Sequence, residues 1–180
     1  IRYLVRSRGL GDVYKRQGAL KVLQMIFSYE YLWIQIRVKG GAYGCMCSFS
    51  DQGDSMFVTY RDPNLSESYK VYDEAADYVA DFDADDRDMK KYIIGTIGSM
   101  DMPMEAVDMG ARSFHAYFLG KTEADLQKVR DQVLSCTQED IRALAPIVKA
   151  VVEAGNRCCI GNEEKIDQNK EYFDEVKHVL

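Results

Sequence analysis

Apolar residues at Leu20, Leu23, Phe27, Tyr31 and Ile34 recur at helical spacing. Val22, Met25, Ile26, Tyr29, Leu32, Trp33 and Ile36 fill most of the remaining circumference. The spacing predicts a helix over 19–38, buried on most sides because it is apolar all round. Gly40 and Gly41 end it, and the period then shortens. Residues 43–50 and 55–61 read as two strands around the turn Asp51-Gln52-Gly53-Asp54, with Phe57, Val58, Thr59 and Tyr60 suited to a pleated surface. Pro63 closes this hairpin. Helical spacing returns at Tyr72, Ala75, Ala76 and Val79, predicting a helix over 66–82. Met89, Tyr92, Ile93 and Ile97 predict another over 85–100, with acids in the first turn where the helix dipole favours them.

Pro103 opens a segment over 103–119 that Gly120 ends. Thr122 and Thr137 each precede an acid by three residues, Asp125 and Asp140, which is a helix-start pattern. Two helices meeting at Cys136–Thr137 are therefore expected. Pro146 stops that run, and a short helix over 147–154, a strand over 156–162 and a last helix over 163–180 complete the reading. The order αββαααα–β–α predicts an α+β fold, with helices packed on one face of a small antiparallel sheet of three strands. No internal repeat, linker or low-complexity tract interrupts it.

Residues 1–17 stand apart. Ser7 to Gln17, SRGLGDVYKRQ, coincide with the translation of a transposon adaptor used for sequencing libraries, so 1–17 is expected to be non-native and 18–180 a partial module. The rival reading is a basic N-terminal arm or presequence carrying Arg2, Arg6, Arg8, Lys15 and Arg16. The distinction changes the charge. The whole chain carries −6, but setting aside five Lys/Arg and one Asp leaves 18 positive and 28 negative side chains, a net of −10. That acidity argues against nucleic acid or an anionic membrane as partner, since both reward positive patches. The five cysteines form no C-x-x-C and their number is odd, so neither a disulfide framework nor a zinc ribbon is indicated. Cys45 and Cys47 are expected on one strand face, and cysteine usage of this kind points to a reducing, cytoplasmic setting.

A self-sufficient active site is not readable. His115 and His178 are the only histidines, and no H-E-x-x-H, H-x-x-E-H or G-x-S-x-G occurs. The acids in DFDADDRD lack calcium-loop spacing. One stretch carries more chemistry: IQIRVKGGAYGCMCSF places Arg37 at the end of the first helix, then Gly40, Gly41, Tyr43 and Gly44. Arg37 reads either as a cation at a helix C-terminus or as a guanidinium held for a ligand.

The blocks GALKVLQMIFSYEYLWIQIRVKGGAYG, FVTYRDPNL, KKYIIGTIGSMDMP, GARSFHAYFLGKTEADLQKVRDQVLSCTQEDIRALA and CCIGNEEKI resemble the C-terminal end of insulinase-like (inverzincin) zinc metallopeptidases of the presequence-protease type. The resemblance implies a partial fourth module of the LuxS/mitochondrial-processing-peptidase-like metallohydrolase fold. It implies zinc in the full-length enzyme, bound by an H-x-x-E-H motif in the N-terminal half, and no zinc held by this chain. By the same resemblance, Arg37 and Tyr43, six apart, match a catalytic and substrate-binding pair that reaches across to the metal-bearing half. Gly40, Gly41 and Gly44 are then expected to let the backbone approach an extended, unfolded peptide. The partner is the N-terminal half of the same polypeptide, and the chain alone is expected to be inactive. The alternative is a catalytically silent structural or partner module of the same fold.

Overall fold

A computed structural model describes residues 16–50 and 53–178. The predicted adaptor segment therefore lies almost wholly outside the described residues, as do Asp51 and Gln52 of the predicted turn. The chain's axis is one long helix. It runs as α1 (Gln17–Ile26) and continues through two π-helical stretches, Phe27–Tyr31 and Trp33–Lys39. The apolar circumference is buried as the pattern predicts: Val22, Leu23, Ile26, Phe27 and Leu32 are all fully excluded from solvent. The second half departs from regular α geometry. Widened turns of this kind are rare and recur at functional sites.

Strands β1 (Gly44–Phe49) and β2 (Ser55–Tyr60) pair antiparallel, with Cys45 opposite Thr59, Cys47 opposite Phe57 and Phe49 opposite Ser55. These six side chains are buried, so alternation places one face of the hairpin against the long helix. Cys45 and Cys47 share that face, as expected. Phe27 joins helix to sheet. Its ring lies 5.7 Å from Phe57, 6.4 Å from Phe49 and 6.1 Å from Tyr78. Full burial of one such ring contributes about 1.5–3 kcal/mol.

The remaining helices surround this core. They are α2 (Leu65–Asp73), α3 (Ala75–Ala80), α4 (Asp86–Met100), α5 (Ala106–Phe118), α6 (Glu123–Leu134), α7 (Gln138–Arg142), α8 (Ala145–Glu153) and α9 (Glu163–Asp167). Helices α4, α6 and α7 pack on α1, while α2 and α3 pack on α8. The local start signals act as read. Asp85 accepts hydrogen bonds from the Arg87 and Asp88 amides, and Thr122/Asp125 and Thr137/Asp140 form two reciprocal capping boxes.

Three expectations need correction. The helix predicted over 66–82 is broken at Glu74, dividing α2 from α3. Residues 156–162 form no strand. Gly155 turns away with φ +65°, and Arg157 stacks on the rings of Tyr69 and Tyr172 and bonds Asp73 at 3.1 Å. Side-chain contacts, not a ladder, hold this segment, so the sheet has two strands among the described residues rather than three. The helix predicted over 163–180 stops at Asp167, because Tyr172 and Phe173 turn inward onto Tyr69. The fold remains α+β, helix-rich on a small antiparallel sheet.

Helix α5 lies on the surface of the chain. It buries no residue, and Val107, Phe114, Tyr117 and Phe118 are all more than two-thirds exposed. Arg112, Ser113, Ala116 and Leu119 line a groove of about 1200 Å³ toward α1, α4 and α6. The helical period places Val107, Ala111, Phe114 and Phe118 on the opposite side. No helix among the described residues is long and apolar enough to cross a membrane.

Candidate functional site at the helix–hairpin corner

Arg37 sits in the last π-helical stretch, and Tyr43 immediately precedes β1. Between them the chain reverses through Gly40, Gly41 and Ala42. The Gly40 and Gly41 amides donate to the carbonyls of Gln35 (3.0 Å) and Arg37 (3.1 Å), and the Ala42 amide donates to Ile36 O (3.2 Å). The carbonyls of Gln35, Ile36 and Arg37 are thereby closed by backbone, without the Arg37 side chain. Gly41 takes φ +75°, a conformation that disfavours any Cβ. Gly40 has ordinary φ, but a Cβ there stands 2.6 Å from Ile36 O. Gly44 needs neither device. Nothing lies within 4 Å of the place its Cβ would take, so the surface beside Tyr43 is open.

The Arg37 guanidinium stacks over the Trp33 indole, 4.1 Å from its centroid. Trp33 is one helical turn earlier, so this pair is a same-face contact that pre-orients the fork. Arg37 is half-buried and its side chain makes no hydrogen bond or ion pair among the described residues, leaving its guanidinium N–H groups uncommitted. Tyr43 is 64 % exposed. Its ring meets Tyr60 edge-on at 5.9 Å, and the Arg61 guanidinium lies 5.7 Å from the Tyr43 ring and 5.3 Å from the Tyr60 ring. Its phenol is likewise without a hydrogen-bond partner among the described residues. The corner thus presents two strong donors, each on a side chain steadied by an aromatic or cationic neighbour. Among the described residues no hydrogen bond or ring contact joins Arg37 to Tyr43.

The corner's electrostatics register in Cys45. Burial pushes its thiol up to about 11, the Arg37 charge lowers it and Asp62 raises it again. Both groups are therefore felt at the start of β1. Trp33, Tyr60, Arg61, Asp62 and Asn64 were not singled out as site residues in the sequence. The available signals were the i, i+4 spacing of Trp33 and Arg37 and the density of polar types in Y-R-D-P-N. The large groove under α5 is lined by neither Arg37 nor Tyr43. It reflects the loose seating of α5, and the donor geometry favours the corner as the site. His115 lies exposed on α5, and His178 pairs with Glu163 at 3.5 Å. No group of three or more His, Cys, Asp or Glu side chains that could hold a metal occurs among the described residues.

Residues 8–162 match the family model described as the PreP C-terminal domain. The chain is 41 % identical over 167 residues to Protein HypA of Clostridium perfringens, spanning 93 % of this chain and 17 % of that protein. It is 33 % identical over 171 residues to Presequence protease 1, chloroplastic/mitochondrial, of Arabidopsis thaliana, spanning 93 % and 16 % respectively. The chain thus spans about a sixth of the length of these curated relatives. Among solved structures, the inactive peptidase domain of a candidate zinc protease from Bordetella parapertussis superposes with a TM-score of 0.62 at 13 % identity, covering 87 % of this chain and 86 % of that one. That likeness concerns the fold.

Proposed function

This chain belongs to the PreP C-terminal domain family, and from that premise we propose that it is the C-terminal, substrate-binding portion of a zinc metallopeptidase that cleaves unfolded oligopeptides. The observation that carries the reading is the pair of uncommitted donors, Arg37 and Tyr43, held at one glycine corner with open space beside Gly44. Among the described residues no group of side chains fits a zinc site. The ion belongs, in this reading, to the N-terminal half of the same polypeptide, which is the chain's partner.

What the chain's own residues do follows from their chemistry. Peptide-bond hydrolysis places negative charge on the former carbonyl oxygen. The Tyr43 phenol donates a hydrogen bond to that oxygen or to the neighbouring substrate carbonyl. The Arg37 fork grips a substrate carbonyl or a terminal carboxylate with paired N–H groups, and its stacking on Trp33 keeps the fork from collapsing onto the protein's own acceptors. A corner lined this way receives an extended backbone whatever its side chains, which suits unfolded peptides as substrates. Supplying these groups from one half and the remaining chemistry from the other links turnover to closure of the two.

The test is Tyr43→Phe in the full-length protein, assayed on an unstructured fluorogenic peptide. Turnover is expected to fall about 10²–10³-fold, as for removal of one oxyanion donor, with zinc content unchanged. Parental turnover removes Tyr43 from the reaction and leaves the silent-module reading standing. Arg37→Lys keeps the charge but not the fork, and an unchanged kcat/KM there refutes a specific guanidinium role.

A further inference from the structure

The Y-R-D-P-N block folds back on the corner. Asn64 Nδ2 donates to Gly40 O at 2.6 Å across 24 positions of sequence. Asn64 is itself held, since its amide donates to Asp62 Oδ1 at 2.9 Å. The other Asp62 oxygen accepts from Ser68 Oγ at 2.6 Å, which ties the loop to the first turn of α2. Asp62 is only 3 % exposed, so this carboxylate serves the loop and not the solvent. One further bond completes the clamp, with Pro63 beside Gly41. The Tyr43 amide donates to Arg61 O at 3.3 Å, and Pro63 Cγ lies 3.9 Å from where a Gly41 Cβ would stand. Arg61 takes φ +48°, a left-handed conformation that a non-glycine residue seldom adopts. The clamp therefore holds the corner's backbone at both ends: Gly40 through a side-chain amide and Tyr43 through a ladder-like bond.

The geometry points to Asn64, oriented by Asp62, as the positioning residue of the Arg37/Tyr43 corner: its side-chain amide fixes the Gly40 carbonyl and so the path by which the chain leaves Arg37 and arrives at Tyr43. The inference rests on the reading of Arg37 and Tyr43 given above, but it makes a separate claim about where Tyr43 is held. Loss of the bond from Asn64 leaves both donors present and lets the segment between them shift. A catalytic donor misplaced by about 1 Å loses on the order of 10²-fold in rate. Asn64 is a positioning residue and not a catalytic one. It acts only through the corner.

The experiment uses the full-length protein with 3-fluorotyrosine placed at position 43 and, as a remote control, at Tyr117. In Asn64→Ala the fluorine signal at 43 is expected to move or broaden while that at 117 stays. An unchanged signal at 43 overturns the proposal whatever the activity does. In parallel, Asn64→Ala is expected to lower kcat about 10-fold or more with KM altered much less. Combining it with Tyr43→Phe is expected to add little further loss, and fully additive losses overturn action through Tyr43. Asp62→Asn keeps an acceptor oxygen toward the Asn64 amide and is expected to retain near-parental turnover, whereas Asp62→Ala is not. If Asn64→Ala does not fold, the near-isosteric Asn64→Asp replaces it. That variant sets a carboxylate oxygen against Gly40 O, and the same shift at position 43 is expected. If Tyr43→Phe alone proves harmless, the catalytic reading fails, and the fluorine signal still decides the positioning claim.

Discussion

Gly40 and Gly41 are adjacent, and an alanine at each is expected to act by a different mechanism. At Gly41 the obstacle is the backbone angle, φ +75°, while space is available, with Pro63 Cγ at 3.9 Å. A left-handed alanine costs about 1–2 kcal/mol, and the reduced freedom of the unfolded chain offsets about 0.4–1 kcal/mol of a glycine-to-alanine change. The net expectation for Gly41→Ala is a loss of about 1 kcal/mol, with the corner's path kept. At Gly40 the backbone angle is ordinary, but the new Cβ stands 2.6 Å from Ile36 O, a backbone atom that has no side-chain torsion to yield. Relief requires moving Gly40 itself, which carries the 3.0 Å bond to Gln35 O and accepts the 2.6 Å bond from Asn64. Strain of this kind costs about 1–3 kcal/mol. Unlike the first variant, it also displaces the segment between Arg37 and Tyr43. Urea unfolding of the chain measures the stability terms, and peptide cleavage by the full-length protein, normalised to folded fraction, measures the geometry. Gly41→Ala is expected to lose stability and keep kcat, and Gly40→Ala to lose both. The reverse ranking in kcat, or a Gly40→Ala variant indistinguishable from the parent in both assays, refutes the argument from Cβ contacts.

Alkaline pH provides another test. Burial pushes the Cys45 thiol up to about 11 and the Cys136 thiol up to about 12, against about 8.5 in an unfolded chain. Between those values the unfolded state has lost protons that the native state keeps. Stability is therefore whole below about pH 8.5 and falls as pH rises toward 11–12, with a slope on the order of 1.4 kcal/mol per pH unit for each thiol. A urea midpoint independent of pH up to 11 contradicts this. The outward stripe of α5 predicts that the isolated chain binds a hydrophobic dye and self-associates in sedimentation. Phe114→Ser with Phe118→Ser is expected to abolish both without lowering the urea midpoint, since neither ring is buried. Unaltered dye binding in that variant excludes the stripe as the sticky surface.

The long helix, the hairpin and the helix starts were legible because their signals are local. A buried helix repeats its apolar residues within a turn, a hairpin alternates every second residue, and a capping box closes across three. Thr122, Thr137 and Asp85 each satisfied amides within their own first turn, so nothing distant was required. The pairing of Arg37 with Tyr43 comes from the resemblance, and the match over residues 8–162 establishes the chain's family. The predicted strand over 156–162 failed for the opposite reason. Its residue types suit a strand, but a strand needs a neighbour, and Arg157 found Tyr69, Tyr172 and Asp73 instead.

The sequence by itself therefore determined the long first helix, the hairpin, the capped helix starts and the glycine corner between Arg37 and Tyr43. Tertiary structure alone decided how that corner is held. The bond from Asn64 to Gly40 spans 24 residues and belongs to no repeating pattern. It forms only once the packing of the hairpin and α2 against the long helix brings the two backbones together. Periodicity reports which face of an element is buried. It carries no information about which polar group on one element meets which carbonyl on another, because that depends on the distances and angles that packing sets.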